Sequence, residues 1–272
     1  MMRRAFLFAP VVFLLATAGA WADARMAVLV DVLKLTEAAD ILSSEGLAQA
    51  ESLDDEMLDG QGGAGWAQQV ESIYAPGLMV ERVREELARE LSGEALEEVI
   101  TFYGSEKGSQ IIDLENAARR AMQDPDVEEA ARARFVEIEN SGDLQLSLIM
   151  RYVEDGDMIA RNVTSAMNSN YQFLRGLVDG GGVKMSEDEI LKDAAGDVAE
   201  TTEDTTQWLY GYLLLAYHPL DLDDLEAYVA FSDSDAGRAL NRALFRGFGQ
   251  AYEDISYALG RAVALNMTAK EL

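Results

Sequence analysis

One histidine and a large set of carboxylates are the side chains in this sequence with the clearest catalytic chemistry. His218 is the only histidine among 272 residues, and it stands between Tyr217 and Pro219. A Ser-His-Asp triad or a histidine acid–base catalyst would have to use it. A histidine directly after an apolar helix can also satisfy the last carbonyls of that helix, where the helix dipole is negative. We therefore predict that His218 caps a helix, and we assign no catalytic residue.

The acidic segments at residues 221–224 and 233–237 offer the oxygen ligands that calcium prefers. Their sequences are Asp-Leu-Asp-Asp and Asp-Ser-Asp-Ala-Gly. Neither has the Asp-x-Asp-x-Asp-Gly order or the distal bidentate Glu of a calcium loop. Zinc and iron sites draw on histidine and cysteine, and this chain has one histidine and no cysteine. The sequence thus predicts no metal ion and no cofactor. An acidic cation-binding protein that needs calcium to fold is kept as an alternative.

Carboxylates and tryptophans are the residue types of a glycoside hydrolase. Such an enzyme can work with two carboxylates, but the 49 acidic residues here show no spacing that separates one pair from the rest. Trp208 lies in the most apolar segment of the chain and is predicted to belong to the core. Trp66 follows a glycine-rich stretch, so we predict that it is partly exposed and contacts a binding partner.

The charge balance excludes nucleic acid as a partner. The chain carries 49 Asp and Glu against 22 Lys and Arg, which gives a net charge of −27. Nucleic-acid phosphates are bound by clusters of Lys and Arg, which this composition does not favour. The hydrophobic fraction of 49% is that of a globular protein rather than a disordered one. We expect an acidic, folded protein with a core large enough to need no disulfide bond.

Residues 1–22 have the pattern of a secretory signal peptide. Two arginines precede an uncharged run over residues 5–19, and Ala-Trp-Ala at 20–22 fits the small-x-small cleavage pattern. The uncharged run of 15 residues rises about 22 Å as a helix, less than the ~30 Å of a hydrocarbon core. We predict cleavage near Ala22, a periplasmic location and no stable membrane insertion after cleavage. An uncleaved membrane anchor is the alternative.

The rest of the chain has the periodicity of helices. Apolar residues recur every four positions from Met79 to Leu91. Asp124 and Pro125 are typical of an N-cap and a first helical position, and residues 186–189 (Ser-Glu-Asp-Glu) form a capping box. Alternating runs of β-branched residues, which are typical of strands, are almost absent. We predict an all-α, multi-helix bundle.

Two segments that lie 129 residues apart have similar sequences. Residues 96–108 read Leu-Glu-Glu-Val-Ile-Thr-Phe-Tyr-Gly-Ser-Glu-Lys-Gly, and residues 225–237 read Leu-Glu-Ala-Tyr-Val-Ala-Phe-Ser-Asp-Ser-Asp-Ala-Gly. The similarity covers about 79–112 and 208–241 and fades beyond them. Two fused copies of one helical unit account for it, and chance similarity between helices is the alternative. We predict one helical unit over residues 23–144 and a related unit over residues 145–272.

The repeated block predicts two helices joined by a tight turn. Its residues are Phe102, Tyr103, Ser105 and Gly108 in the first copy and Phe231, Ser234 and Gly237 in the second. We predict that the apolar side chains pack inward and that each serine caps the next helix. Glycine at the third helical position costs about 0.5–1 kcal/mol relative to alanine, which the close approach of another helix backbone would offset. Gly237→Leu is then expected to destabilise far more than Gly237→Ala.

At this block the sequence resembles the bacterial exported family of unknown function DUF2059. The resemblance rests on the Phe-Tyr-x-Ser-x-x-Gly pattern of residues 102–108, behind a secretory signal peptide, and residues 231–237 look like a second copy. The second copy departs from the pattern because Ser232 replaces the tyrosine. The resemblance implies an exported helical protein. It implies no activity or catalytic residue, since none is established for the family.

The residue types missing from the chain favour a protein without catalytic activity. We predict an exported, non-catalytic module for protein interaction or cell-envelope maintenance, whose partner is an envelope protein or a helical segment held in a groove between helices. The alternative is a carboxylate-dependent hydrolase acting on an envelope polymer. Two facing carboxylates of raised pKa in a cleft would favour the enzyme, and an apolar groove would favour binding. The sequence leaves the oligomeric state open.

Overall fold

A computed structural model describes the backbone of residues 12–269 and the side chains of residues 22–268. Over that part of the chain the regular secondary structure is entirely α-helical, which confirms the all-α prediction. The helices are α1 (Val12–Val32), α2 (Leu35–Met57), α3 (Gly63–Ile73), α4 (Pro76–Glu90), α5 (Gly93–Tyr103), α6 (Glu106–Ala121), α7 (Pro125–Ile138), α8 (Leu144–Asp155), α9 (Met158–Asp179), α10 (Glu187–Ala195), α11 (Val198–Tyr217), α12 (Leu222–Ser232) and α13 (Asp235–Ala269).

Side-chain caps fix where several of these helices begin. The hydroxyl of Ser105 accepts a hydrogen bond of 3.1 Å from the backbone N–H of Gly108 at the start of α6. Ser234 does the same for Gly237 at the start of α13, also at 3.1 Å. Ser186 opens α10 with the reciprocal capping box that its sequence predicts. These bonds satisfy N–H groups that have no partner within the helix itself.

Helix boundaries recur at fixed spacings along the chain. Helices α5 and α12 each have 11 residues and begin at 93 and 222, which are 129 positions apart. Helices α6 and α13 begin at 106 and 235, with the same spacing. Nearer the N-terminus the spacing is 123: α2 and α9 begin at 35 and 158. Each of these two follows a residue with a left-handed backbone, Lys34 (φ 47°) and Asp157 (φ 52°).

The two predicted units pack across each other. Helix α4 of the first unit packs along α13 of the second, and α11 of the second packs along α6 and α7 of the first. A glycine allows close backbone approach in both contacts: a Cβ at Gly247 would lie 2.6 Å from the Cα of Val83, and one at Gly211 would lie 2.9 Å from the carbonyl carbon of Ala131. The two units consequently share one large hydrophobic core.

Helix α1 runs through the predicted cleavage position. Residues 1–11 of the predicted signal peptide lie outside the described residues, and residues 12–22 form the first part of α1. Beyond Ala22, the side chains of Met26, Leu29 and Leu33 are buried in the large core. The segment that follows the predicted cleavage site is therefore part of the fold. None of the helices within residues 12–269 is both long and apolar enough to cross a membrane.

Candidate functional site

The residues of the repeated block meet in the core. The rings of Phe102 and Phe231, which occupy the same place in the two copies, stack with centroids 3.9 Å apart and planes 4° apart. Tyr103 packs its ring edge-on against Phe231 at 5.8 Å and is 5% exposed. Together with the caps of Ser105 and Ser234, these contacts give the block a structural role.

The two glycines of the block allow the next helix to contact the end of the preceding one. A Cβ on Gly108 would collide with the carbonyl oxygen of Phe102 and lie 2.7 Å from the Cα of Tyr103. A Cβ on Gly237 would collide with the carbonyl oxygen of Phe231 and lie 2.7 Å from the Cα of Ser232. The predicted close approach is present. It also alters the expected contrast at Gly237, because alanine already meets backbone atoms there.

The predicted exposure of Trp66 is wrong. Its side chain is 4% exposed, and its indole N–H donates a 3.2 Å hydrogen bond to the carbonyl of Ala50. The reason is the packing of α3, which buries Trp66 and Val70 in a second, smaller hydrophobic core that also includes Val263 of α13. Glycine-rich sequence before Trp66 marks the turn into α3, and does not expose the ring.

His218 lies where the sequence predicts, at the C-cap of α11, and is exposed. The carbonyl of the preceding Tyr217 accepts hydrogen bonds from other residues, however. The donors are the backbone N–H of Leu220 at 3.0 Å and the side-chain amide of Gln145 at 2.7 Å. His218 thus lies at the end of α11, and the side chain that bonds the Tyr217 carbonyl is Gln145 of α8.

A central cavity lies among α2, α6, α9, α11 and α13. It consists of two adjoining spaces of about 620 Å³ and about 260 Å³. The two spaces have in common the wall residues Ala38, Glu115, Asn116, Leu209, Tyr212, Leu244, Phe245 and Phe248. The larger space also reaches Trp208, which is half-buried at the cavity and not fully enclosed in the core. Both predicted units contribute to the walls.

Helix α6 forms a polar wall of this cavity with Glu115, Asn116 and Arg119. One carboxylate oxygen of Glu115 accepts hydrogen bonds from the hydroxyls of Tyr217 at 2.6 Å and Tyr228 at 3.0 Å. Burial raises the pKa of Glu115, and the two tyrosine hydrogen bonds oppose that rise. Burial outweighs them, so the cavity favours the neutral carboxylic acid more than water does.

Asn116 carries a buried donor that no described protein group satisfies. The residue is 7% exposed, and its amide nitrogen Nδ2 has no hydrogen-bond partner within the described part of the chain. Leaving a buried polar group unpaired costs on the order of 1–3 kcal/mol. Most buried polar groups in proteins are paired, so an exception of this kind on a cavity wall points to a binding role.

Arg119 is held by a bidentate ion pair with Glu45 of α2. The two hydrogen bonds, Nε to Oε1 and a terminal guanidinium nitrogen to Oε2, measure 2.7 and 2.6 Å. Burial acts to lower the pKa of Arg119, but the hydrogen bond and the charge of Glu45 raise it overall. The guanidinium also lies over the ring of Trp208, 4.7 Å from its centroid. Arg119 therefore keeps its charge and its position at the cavity.

Helix α13 forms an apolar wall of the same cavity. Its side chains there are Leu244, Phe245 and Phe248. These residues stand 129 positions after Glu115, Asn116 and Arg119, so the aligned positions of the two predicted copies supply apolar and polar walls respectively. The cavity is amphipathic as a result. None of these six residues is among the candidate site residues that the sequence predicts.

Besides Glu115, the carboxylate that lines the cavity is Asp204, and it is ion-paired with Arg132 at 2.9 Å. Glu45, the partner of Arg119, lines a neighbouring pocket instead. Within the described part of the chain there is no cluster of three or more His, Cys, Asp or Glu side chains that could hold a metal ion. Asp221, in one of the two acidic segments considered above for calcium, is the N-cap of α12 and accepts from the N–H of Asp224 at 2.8 Å.

These features define an all-α protein with an amphipathic cavity between two cross-packed halves. Residues 78–135 match the model of a family described as an uncharacterized protein conserved in bacteria, DUF2059. The match confirms the resemblance for the first predicted copy, over most of α4 to α7, and does not include the second. No curated protein and no solved structure matches the chain.

Proposed function

We propose that this protein is a non-catalytic binding module exported to the cell envelope, and that the central cavity is its binding site. The observation that carries the proposal is the cavity of about 620 Å³ with a polar wall on α6 and an apolar wall on α13. Concave, mostly apolar sites with a few polar groups are typical of ligand binding. The signal-peptide pattern of residues 1–22 supports a periplasmic location after cleavage near Ala22.

The size of the cavity favours a small molecule over a partner helix. Ligand pockets measure roughly 300–1,000 Å³, and the larger space lies within that range at about 620 Å³. Three turns of an α-helix about 10 Å wide and about 16 Å long would occupy roughly 1,200 Å³. An envelope protein or helical segment, the partner that the sequence predicts, would therefore enter this site with only part of its surface. Its recovery becomes one outcome of the experiment below.

We also propose that the two halves are copies of one unit. The recurring spacings of α5 and α12, of α6 and α13, and of α2 and α9 support this proposal. So does the stacking of Phe102 on Phe231, since these residues are aligned in the two sequences. Cross-packing of the halves then creates the cavity from both copies.

A carboxylate-dependent hydrolase acting on an envelope polymer is the second candidate. Glu115 supports it, because burial raises the pKa of its carboxyl group, as in a general acid. A glycosidase also needs a second carboxylate as base or nucleophile. The other carboxylate on the cavity walls, Asp204, is ion-paired with Arg132. This arrangement favours binding, and hydrolysis of a polymer by the wild-type protein but not by Glu115→Gln would reverse the preference.

The binding proposal can be tested by recovering the protein with its ligand. The full-length chain, tagged at its C-terminus, is expressed in a bacterium, purified from the periplasm and extracted for mass spectrometry of bound small molecules. Leu244→Trp and Ala38→Leu fill the cavity from opposite walls. Leu222→Trp is the matched control, because Leu222 is 42% exposed and lies on α12 outside the cavity. Circular dichroism checks that each variant is folded.

We expect an apolar small molecule to be recovered with the wild type and with Leu222→Trp. It should be absent from the two variants that fill the cavity, Leu244→Trp and Ala38→Leu. Equal recovery from all folded variants, or from none, would refute the cavity as a binding site. Recovery of a protein partner in place of a small molecule would support the interaction role predicted from the sequence instead. Cell fractionation and N-terminal sequencing test export separately: a chain that stays in the cytoplasm contradicts export, and an exported chain that keeps residues 1–22 contradicts cleavage near Ala22.

A further inference from the structure

The polar wall of the central cavity offers one buried donor that has no partner among the described residues, the amide nitrogen of Asn116. Arg119 bonds Glu45 through two of its five N–H donors, and one oxygen of Glu115 accepts hydrogen bonds from two tyrosines. A ligand group placed at Asn116 therefore gains most if it accepts a hydrogen bond. Carbonyl oxygens of esters and amides have this property.

The charges around the polar wall disfavour an ionic group on the ligand. An anion would lie beside Glu115 in a chain whose net charge is −27, and the nearby guanidinium of Arg119 is already neutralised by Glu45. A cation would need an open aromatic face or a free carboxylate. One face of Trp208 is covered by Arg119, Arg161 lies over the ring of Phe245, and Asp204 is paired with Arg132. Burying an unpaired charge is costly, so an uncharged group fits best.

The opposite wall offers contact to an alkyl chain. Leu244, Phe245 and Phe248 face the cavity from α13, and Leu209 of α11 adjoins both of its spaces. Each methylene group that leaves water on such a surface adds to the affinity of the ligand. The second, narrower space of about 260 Å³ continues the apolar lining past Leu240. A chain can thus extend from the polar wall into this space.

We propose that the ligand is an uncharged acyl amphiphile, with an ester or amide carbonyl bound by Asn116 and its alkyl chain on the α13 wall. The proposal rests on the cavity being a binding site, as proposed above, and adds the chemical class of its occupant. It assigns Asn116 as the residue that recognises the polar group. Asn116 and Phe245 lie 129 positions apart, at the spacing of the repeat. Asn116 contacts the polar end of the ligand, and Phe245 contacts the alkyl end.

Isothermal titration calorimetry of the full-length protein tests this proposal with three probes that carry closely matched chains. The probes are lauroyl glycerol, laurate and dodecyltrimethylammonium, each used below its micelle concentration. We expect lauroyl glycerol to bind about tenfold more tightly than either charged probe. Asn116→Leu keeps the volume of the side chain and removes the donor, so it should weaken lauroyl glycerol binding about fivefold. Asn140→Leu, an exposed control outside the cavity, should leave binding unchanged.

The melting temperature of the unliganded Asn116→Leu variant separates recognition from folding. Replacing an unpaired buried amide with an apolar side chain should not lower it. Weaker binding without a lower melting temperature supports the role of Asn116. Phe248→Ala shortens the apolar wall, and it should weaken all three probes alike. If Asn116→Leu is unfolded, the relative affinities of the wild type for the three probes decide the proposal.

The outcomes distinguish this inference from the proposed function. Tighter binding of laurate or of dodecyltrimethylammonium overturns the uncharged headgroup, while the cavity stays a binding site. Equal affinity of wild type and a folded Asn116→Leu variant overturns the role of Asn116. If a small molecule is recovered from the periplasm but none of the three probes binds, the ligand class is wrong. If neither experiment shows a ligand, both proposals fail.

Discussion

Replacing Gly237 by alanine should destabilise the protein, although alanine is the better helix former. The Cα hydrogen of Gly237 that a side chain would replace faces the end of α12. A Cβ in its place would collide with the carbonyl oxygen of Phe231 and lie 2.7 Å from the Cα of Ser232. These are backbone atoms, so no rotamer change can relieve the contact. Helix α13 must shift away from α12 to accept the methyl group.

The size of the effect follows from two opposing contributions. Overpacking of this kind costs about 1–3 kcal/mol. Alanine recovers about 0.5–1 kcal/mol of helix propensity. The net loss is then up to about 2.5 kcal/mol, which lowers the melting temperature of a chain of this size by up to roughly 10 °C. Gly249 of the same helix is the matched control, since the nearest atom to a Cβ there is the Ser165 hydroxyl at 3.8 Å.

Thermal unfolding followed by circular dichroism gives the melting temperatures of the Gly237 and Gly249 variants, and urea midpoints are a second measure of their stability. Gly249→Ala should raise the melting temperature by roughly 1–4 °C, opposite in sign to Gly237→Ala. Gly237→Leu should be worse than Gly237→Ala, but both should lie below the wild type. A melting temperature of Gly237→Ala at or above that of the wild type would refute the close approach of α12 and α13 as the reason for the glycine.

Two further predictions concern the core and the cavity. The stack of Phe102 on Phe231 should give a coupling free energy of about 0.5–1.5 kcal/mol in a double-mutant cycle with leucine at each position, and additive single effects would contradict it. The pKa of Glu115 is raised by burial, so its contribution to stability is present below its ordinary value of 4.5 and is lost as the pH rises through the folded-state pKa. Glu115→Gln should therefore gain stability relative to the wild type between about pH 4 and neutrality, measured by urea unfolding, and a difference independent of pH would contradict this.

Much of the fold could be predicted because its determinants are local. The caps at Ser105, Ser186 and Ser234 lie within three residues of the groups they bond, and the structure contains all three. The exposure of Trp66 could not be predicted in this way. It depends on α13, a helix some 200 positions away that covers the same small core. A glycine-rich sequence predicts a turn, but it does not predict which distant helix packs over the residues that follow.

The cavity could not be predicted because each of its walls looks ordinary alone. Glu115, Asn116 and Arg119 read as one polar helix face, and Leu244 and Phe248 read as one apolar face. Only their meeting across the cross-packed halves gives them a common role. The polar wall residues of α6 begin at 115, just beyond the point near residue 112 where the similarity between the two segments fades. On the proposal that the halves are copies of one unit, this divergence accounts for the unlike walls.

The covalent link between the cross-packed halves has a consequence for how such a cavity can arise. In a homodimer with a twofold axis, every substitution occurs in both subunits, so an asparagine facing the axis would meet a second asparagine. A single chain is free of that constraint, because positions 116 and 245 are encoded separately. If the halves are copies of one unit, as proposed above, their symmetry could therefore be broken one residue at a time. A single chain would then permit a site with two unlike ends.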